Sequence, residues 1–157
     1  MKILKKGLTV ALIAFIVMQF FRVDKNRAEG DFVAAFIAET QPDDEVHIIL
    51  KTACFDCHSN NTRYPWYAEI APISYWLDDH IRHGKGELNF SEWDSYSSKK
   101  KDHKMEELIE EVKKKHMPLD SYTWAHKDAV LTDEQINAVI SWADRYRALL
   151  SLGDRPQ

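Results

Sequence analysis

The sequence is poor in the residues that mark several specialised classes of protein. Its 157 residues include only five glycines, five prolines and two cysteines, which excludes fibrous and low-complexity architectures and a disulfide framework. Neither sign of charge dominates: the net charge is −4, and the lack of a dominant basic patch argues against nucleic acid as a partner. The sequence also lacks a catalytic triad, a phosphate loop and a paired-carboxylate pattern. The composition therefore predicts one globular domain that is not a hydrolase.

Long hydrophobic runs are also scarce, because only residues 7–21 are apolar enough to enter a bilayer. This scarcity excludes a multi-pass membrane protein. The run follows three lysines, and a helix that extends it by a few residues towards the N-terminus would span about 28 Å of a ~30 Å hydrocarbon layer. No good small-x-small cleavage site follows the run. We therefore predict an uncleaved single-pass anchor at residues 1–22, with a cleaved signal peptide as the alternative.

The rest of the chain shows helical patterns and no β-branched strand runs. Apolar residues at helical spacing predict helices over residues 45–53, 73–83 and 99–115, the second ended by Gly84. A capping box of Thr132 and Gln135 predicts the start of a long C-terminal helix. The sequence thus predicts an all-α fold. Its predicted parts are a linker at residues 23–42, a domain at 43–152 and a tail at 153–157.

Both cysteines lie in one motif, Cys54-Phe55-Asp56-Cys57-His58. Two thiols three residues apart can each add to one vinyl group of a haem, and the adjacent histidine can bind the iron from below. The motif predicts one covalent haem c, with thioether bonds from Cys54 and Cys57 and with His58 as the proximal iron ligand. Two alternatives stay open: a zinc site that recruits further histidines, and a buried pair of thiols. A thioredoxin-like redox pair would need a βαβ pattern, which is absent.

The sixth iron ligand is predicted to be Met117. This methionine lies in the turn before Pro118, about sixty residues after the attachment motif, and a soft thioether suits ferrous iron. An ordinary core methionine is the alternative interpretation of Met117. The nearest rival ligand is His116, and His80, His83 and His126 are more remote in the sequence; an open sixth position is also compatible with the sequence. The aromatic group Tyr64, Trp66 and Tyr67 either lines the haem edge or belongs to the core.

The attachment motif also predicts a location. Haem is attached to Cys-x-x-Cys-His on the far side of the bacterial inner membrane, after export. The lysine-rich N-terminus is therefore expected in the cytoplasm, and the residues beyond about 22 are expected on the periplasmic side of the inner membrane.

Several runs together give the chain a family resemblance. They are Cys-Phe-Asp-Cys-His-Ser-Asn-Asn-Thr-Arg-Tyr-Pro-Trp-Tyr at 54–67, His80-Ile81, Leu88-Asn89-Phe90-Ser91-Glu92-Trp93 and Met117-Pro118-Leu119. With these runs, residues 40–150 resemble the haem-binding domain family related to cytochrome c. The resemblance implies a c-type haem, an all-α cytochrome-like fold and a place in the bacterial envelope. It carries the haem-binding roles onto Cys54, Cys57, His58 and Met117.

These inferences lead to a membrane-anchored monohaem cytochrome that carries single electrons to and from redox partner proteins of the envelope. We expect an electron carrier or a haem-binding protein rather than an enzyme. If Met117 is unbound or dissociates readily, a haem-based gas sensor or a peroxidase-like protein is the alternative. A third possibility is a haem module of a larger complex, with the aromatic group at 64–67 as its interface.

Overall fold

The computed structural model describes residues 1–153, and these residues form an all-α fold. No β-strand occurs between residues 1 and 153, where one isolated bridge pairs Arg27 with Asn61. The α-helices of this part of the chain are α1 (Lys2–Met18), α2 (Ala34–Thr40), α3 (Asp44–Ala53), α4 (Phe55–His58), α5 (Ile73–Glu87), α6 (Ser98–Lys113), α7 (Asp120–Thr123) and α8 (Asp133–Gly153). Short 3₁₀ helices lie at Trp66–Glu69, Phe90–Ser95 and Lys127–Ala129. The all-α prediction is confirmed.

The N-terminal helix α1 corrects the prediction of a membrane-spanning anchor at residues 1–22. Among residues 1–153, no helix is both long enough and apolar enough to cross a membrane. Helix α1 has 17 residues, which reach roughly 26 Å against a hydrocarbon layer of ~30 Å. It ends before the apolar run does, and the side chain of the next residue, Gln19, makes two hydrogen bonds with the backbone of Ala71, at 3.0 and 3.1 Å. None of the side chains of α1 is buried.

The starts of the main helices follow the local capping signals. The Asp43 side chain accepts a hydrogen bond of 2.9 Å from the Val46 N–H at the start of α3. At the start of α8, Thr132 and Gln135 each accept a hydrogen bond from the other's backbone N–H, which confirms the predicted capping box. Of the predicted tail, Gly153 is the last residue of α8, and residues 154–157 lie outside the described residues.

The core lies where α6 and α3 pack against α8 and where α2 packs against the 3₁₀ helix Phe90–Ser95. Phe36 of α2 is fully buried at its centre and contacts four aromatic rings. Those rings belong to Phe55, Phe90, Trp93 and Trp142. Since Phe55 lies between the two cysteines, the attachment motif is built directly onto this core.

Helix α5 is longer than predicted and corrects the role given to Gly84. The helix was expected to end at His83, with Gly84 as the stop, but it continues to Glu87. Gly84 lies inside the helix, where α5 meets α4. A Cβ atom on Gly84 would lie 2.8 Å from the Cys57 carbonyl oxygen and 3.3 Å from the Cys57 Cβ. Glycine therefore permits close approach of two backbones here rather than ending a helix.

The segment between α1 and α3, predicted as a linker at residues 23–42, packs against the attachment motif and the core. Asn26 donates a hydrogen bond of 2.8 Å to the Ser59 carbonyl and accepts one of 2.9 Å from the Lys85 ammonium. Further along, α2 places Phe36 in the core. These contacts fix the loop that follows the histidine of the motif.

Candidate functional site

The attachment motif begins where α3 ends and forms a helical turn of its own. Cys54 directly follows α3, and α4 carries Cys57 and His58. Because both Cys57 and His58 donate their backbone N–H groups to the Cys54 carbonyl, at 3.2 and 3.0 Å, the turn holds the two thiols and the imidazole in one short helical unit.

A cavity of about 640 Å³ brings the four predicted site residues together. Cys54, Cys57, His58 and Met117 all line this main cavity. Its surface is mostly apolar, and its volume is in the usual range of sites for cofactors and other small molecules. The apolar part of the lining comes from Ala53, Leu88, Phe90, Leu108, Val112, Pro118, Leu119 and Leu131. Three distant parts of the chain therefore meet around one cavity: the motif, α5–α6 and the segment after α6.

His58 is held in the form that binds a metal. Its Nδ1 lies 3.0 Å from the Leu88 carbonyl oxygen. A carbonyl only accepts, so Nδ1 carries the proton and Nε2 keeps its free lone pair. Burial lowers the pKa of His58, against the opposing effect of the backbone carbonyls of Leu88 and Gly84, which favours the neutral imidazole. A neutral histidine oriented by a carbonyl on its other nitrogen is the usual arrangement of an iron ligand.

Both thiols are partly covered and electrically neutral at physiological pH. Burial raises the pKa of Cys54 to about 12, with a further contribution from Cys57. Burial also raises the pKa of Cys57 to about 11, helped by the negative charge of Asp56. Between residues 1 and 153, no group of three or more His, Cys, Asp or Glu side chains could hold a metal ion, so the zinc alternative gains no support.

Asp56, between the two cysteines, joins the motif to its surroundings. Its side chain is only 7% exposed. Oδ1 accepts hydrogen bonds from the backbone N–H and the Nε of Arg63, at 3.0 and 3.2 Å, and Oδ2 accepts from Arg63 Nη2 at 3.1 Å. The Tyr122 hydroxyl donates to Oδ2 at 2.8 Å. The buried carboxylate is therefore fully satisfied, as a buried charge must be.

Among the candidates for the sixth ligand, the structure separates those at the main cavity from those away from it. Met117, His80 and His83 line it. His116 instead lines a second cavity of about 480 Å³, and its Nδ1 lies 3.3 Å from a Glu111 carboxylate oxygen. His126 lines neither cavity and stacks on the ring of Tyr122. The position of Met117 fits the prediction, and His80 and His83 are the histidine rivals that remain.

The aromatic group after the motif does not line the main cavity. The Tyr64 hydroxyl accepts a hydrogen bond of 2.7 Å from the Asn26 N–H, and the Lys25 ammonium lies 4.2 Å from its ring centre. Trp66 is 77% exposed and contacts Tyr67 edge-on. These rings therefore fit neither interpretation, since they do not line the cavity and are not buried in the core. Tyr64 contacts the N-terminal segment, and Trp66 faces solvent.

Three features of the site were not predicted from the sequence. The Leu88 carbonyl orients His58, and the absence of a side chain at Gly84 lets the Cys57 backbone approach. These contacts join residues 27 to 30 positions apart, so no local pattern in the sequence indicates them. The third feature is the hydrogen bond from the Tyr122 hydroxyl to Asp56. The Asp56 side chain offered the one usable hint, because an acidic residue beside two buried thiols needs partners.

Replacing Gly84 with alanine should destabilise the protein by about 1–3 kcal/mol. The new methyl group would meet the Cys57 backbone at 2.8 Å, and a backbone cannot rotate away as a flexible side chain can. The free energy of unfolding, measured by urea denaturation, tests this prediction.

Gly86 provides a matched control in the same helix, because a Cβ there meets nothing within 4 Å. Gly86→Ala should leave stability unchanged or raise it by up to about 1 kcal/mol, the helix preference of alanine over glycine. Equal stabilities of the two variants would contradict the close packing of α5 on Cys57.

The residues at the main cavity fit a haem: an apolar space, two thiols, one neutral imidazole with a free nitrogen and one thioether. The family description agrees with this fit. The chain matches the model of the family described as haem-binding domain over residues 13–145, which is most of its length. Neither the curated proteins nor the solved structures that were searched contain a match to the chain. The match over residues 13–145 shows that the chain belongs to the haem-binding domain family.

Proposed function

We propose that this protein is a c-type cytochrome with one covalently bound haem, and that it passes single electrons between redox proteins of the bacterial envelope. The observation that carries the proposal is the set of residues at the main cavity. Both cysteines of the chain, the adjacent histidine and a methionine sixty residues further on line the same apolar space. A bound haem supplies a ferric/ferrous couple that gains or loses one electron.

The protein would hold the haem through the motif. The Cys54 and Cys57 thiols would each add across one vinyl group, with a new sulfur–carbon bond and with the thiol hydrogen on the neighbouring vinyl carbon, so no oxidant would be consumed. His58 would offer Nε2 to the iron, while the Leu88 carbonyl holds the ring through Nδ1. Because these three groups lie on one helical turn, their relative positions depend little on the rest of the fold.

Met117 determines what the site can do. As the sixth ligand of a bound haem, the Met117 thioether would leave no coordination site open to a substrate, and as a soft ligand it would raise the reduction potential above that of a bis-histidine haem. Electron transfer would then need no ligand exchange. This favours electron carriage over catalysis, with redox proteins as the partners.

The attachment chemistry supports a location for this function. Covalent attachment to Cys-x-x-Cys-His takes place after export across the bacterial inner membrane. The haem domain would therefore function on the periplasmic side, and its redox partners would be proteins of the envelope.

An optical redox titration of the purified holoprotein, followed by carbon monoxide addition to the ferrous form, tests the proposed electron carriage. We expect a reversible one-electron transition and slow or absent carbon monoxide binding. Rapid binding would overturn the carrier proposal and favour a gas sensor or a peroxidase-like protein, because an open or exchanging sixth position would then exist.

A further inference from the structure

The segment that follows Met117 has few polar ties to the rest of the protein. Within residues 1–153, only Tyr122 hydrogen-bonds residues 118–126 to a part of the chain that precedes α6. The other hydrogen bonds of this stretch are local ones, made within α7 and the turns around it. Met117 itself donates its backbone N–H to the Glu111 carbonyl of α6 at 3.3 Å. Beyond Met117, the position of residues 118–126 depends on apolar packing and on one side chain.

That side chain reaches the centre of the attachment motif. The Tyr122 hydroxyl lies 2.8 Å from Asp56 Oδ2 and 3.1 Å from the carbonyl oxygen of Thr52, at the end of α3. Asp56 lies between Cys54 and Cys57, so a single hydroxyl links the methionine segment to the turn that carries the thiols and His58. A hydrogen bond from a neutral donor to a buried carboxylate is among the stronger ones in proteins.

The ring of Tyr122 is itself held in place beside the main cavity. It lines the main cavity, and the His126 ring stacks on it with centres 4.1 Å apart and planes 16° apart. Burial, together with the negative charge of Asp56, raises the pKa of Tyr122, so the hydroxyl stays protonated and remains a donor. Tyr122 is thus both a wall of the cavity and a fixed link across it.

We propose that Tyr122 is a positioning residue: its hydrogen bond to Asp56 ties the segment that carries Met117 to the attachment motif and so keeps the Met117 thioether on the iron. The inference rests on the proposed function, since it requires Met117 to be the sixth ligand. In addition, it makes the fraction of iron bound by Met117 depend on a residue that does not contact the iron.

The test compares carbon monoxide binding rates of three ferrous holoproteins: wild type, Tyr122→Phe and Met117→Ala. Phenylalanine keeps the ring and its stacking but removes the donor. Because losing one hydrogen bond to a charged group is worth about tenfold or more in an equilibrium, Tyr122→Phe should bind carbon monoxide at least about tenfold faster than wild type. Met117→Ala gives the carbon monoxide binding rate of a haem whose sixth coordination position is open. Hydrogen–deuterium exchange of the holoprotein provides a second measurement, and protection over residues 117–126 should fall in Tyr122→Phe.

Arg63 offers a matched control at the other side of the same carboxylate. Arg63→Met removes the Nε and Nη2 donors to Asp56 and keeps the hydrogen bond from the Tyr122 hydroxyl to the same carboxylate. It should lower the free energy of unfolding as Tyr122→Phe does, yet leave the carbon monoxide rate and the exchange of residues 117–126 near wild type.

The outcomes separate this inference from the proposed function. If Met117→Ala binds carbon monoxide faster than wild type but Tyr122→Phe does not, the positioning role of Tyr122 is overturned and the ligand role of Met117 is not. Equal acceleration in Tyr122→Phe and Arg63→Met also overturns it, because the effect would then come from a loosened motif. A Met117→Ala rate equal to wild type overturns Met117 ligation, and the inference with it. Acceleration in Tyr122→Phe but not in Arg63→Met supports the proposal.

Discussion

Replacing both Cys54 and Cys57 with serine should give a protein from which all haem separates on denaturation, whereas wild type should keep one haem per chain. A serine hydroxyl is a far weaker nucleophile than a thiol and does not add to the vinyl groups under the same conditions. His58 remains in the variant, so haem can still bind in the folded state but only by coordination and packing. Intact mass and absorbance of the denatured chain, produced in a host that exports proteins and attaches haem, measure the difference.

The single variants and a maturation control make this experiment decisive. Cys54→Ser and Cys57→Ser each keep one thiol, so each should retain haem after denaturation, in lower yield than wild type. A known c-type cytochrome produced in the same cells shows that attachment works. If that control matures and the wild-type chain carries no covalent haem, covalent attachment is wrong, and metal analysis of the purified chain then tests the zinc alternative.

If haem is attached after export, as proposed, the environment of the thiols favours their survival until then. Because the thiolate is the form that attacks disulfides and oxidants, the raised pKa values of Cys54 and Cys57 would slow their oxidation. The chain has no third cysteine, which removes the most direct route to a wrong disulfide. The burial that raises both pKa values thus also protects the groups that would hold the haem.

Features encoded by neighbouring residues could be predicted from the sequence. The Asp43 cap and the box of Thr132 and Gln135 join groups three residues apart, so the helix starts they define were found correctly. The attachment motif is also local, since its spacing alone places two thiols and an imidazole on one turn. We inferred that Met117 lies near this motif from the chemistry of its thioether and from its distance along the chain. In the structure, Met117 and the motif line the same cavity.

Features that depend on packing between distant segments could not be predicted. A glycine at position 84 looks like a helix stop, and only the approach of the Cys57 backbone explains why it lies inside α5. The N-terminal helix stops at Met18 although the apolar run continues, and the side chain of Gln19, directly after it, pairs with a backbone 52 residues away. Hydropathy counts residues and carries no information about such a partner.

Replacing Met117 with alanine should lower the reduction potential by on the order of 0.1 V and open the iron to carbon monoxide, because axial ligands set haem potentials over a span of about 0.8 V. Loss of the thioether removes the ligand that favours the ferrous state. The covalent haem should persist, since the motif is untouched. An optical redox titration, with absorbance spectra of both oxidation states, measures the change.

Two further variants identify the ligand rather than merely detect a disturbed cavity. Met117→His should restore a closed sixth position while keeping the potential low, because imidazole is a weaker stabiliser of ferrous iron than a thioether. His80 lines the same cavity, with its Nδ1 2.8 Å from the Trp76 carbonyl oxygen and its ring packed on the Trp76 side chain. If Met117 holds the sixth position, His80→Ala should leave the spectrum and potential unchanged. The reverse pattern, with an altered spectrum in His80→Ala and none in Met117→Ala, would assign the sixth position to histidine and imply a lower-potential carrier.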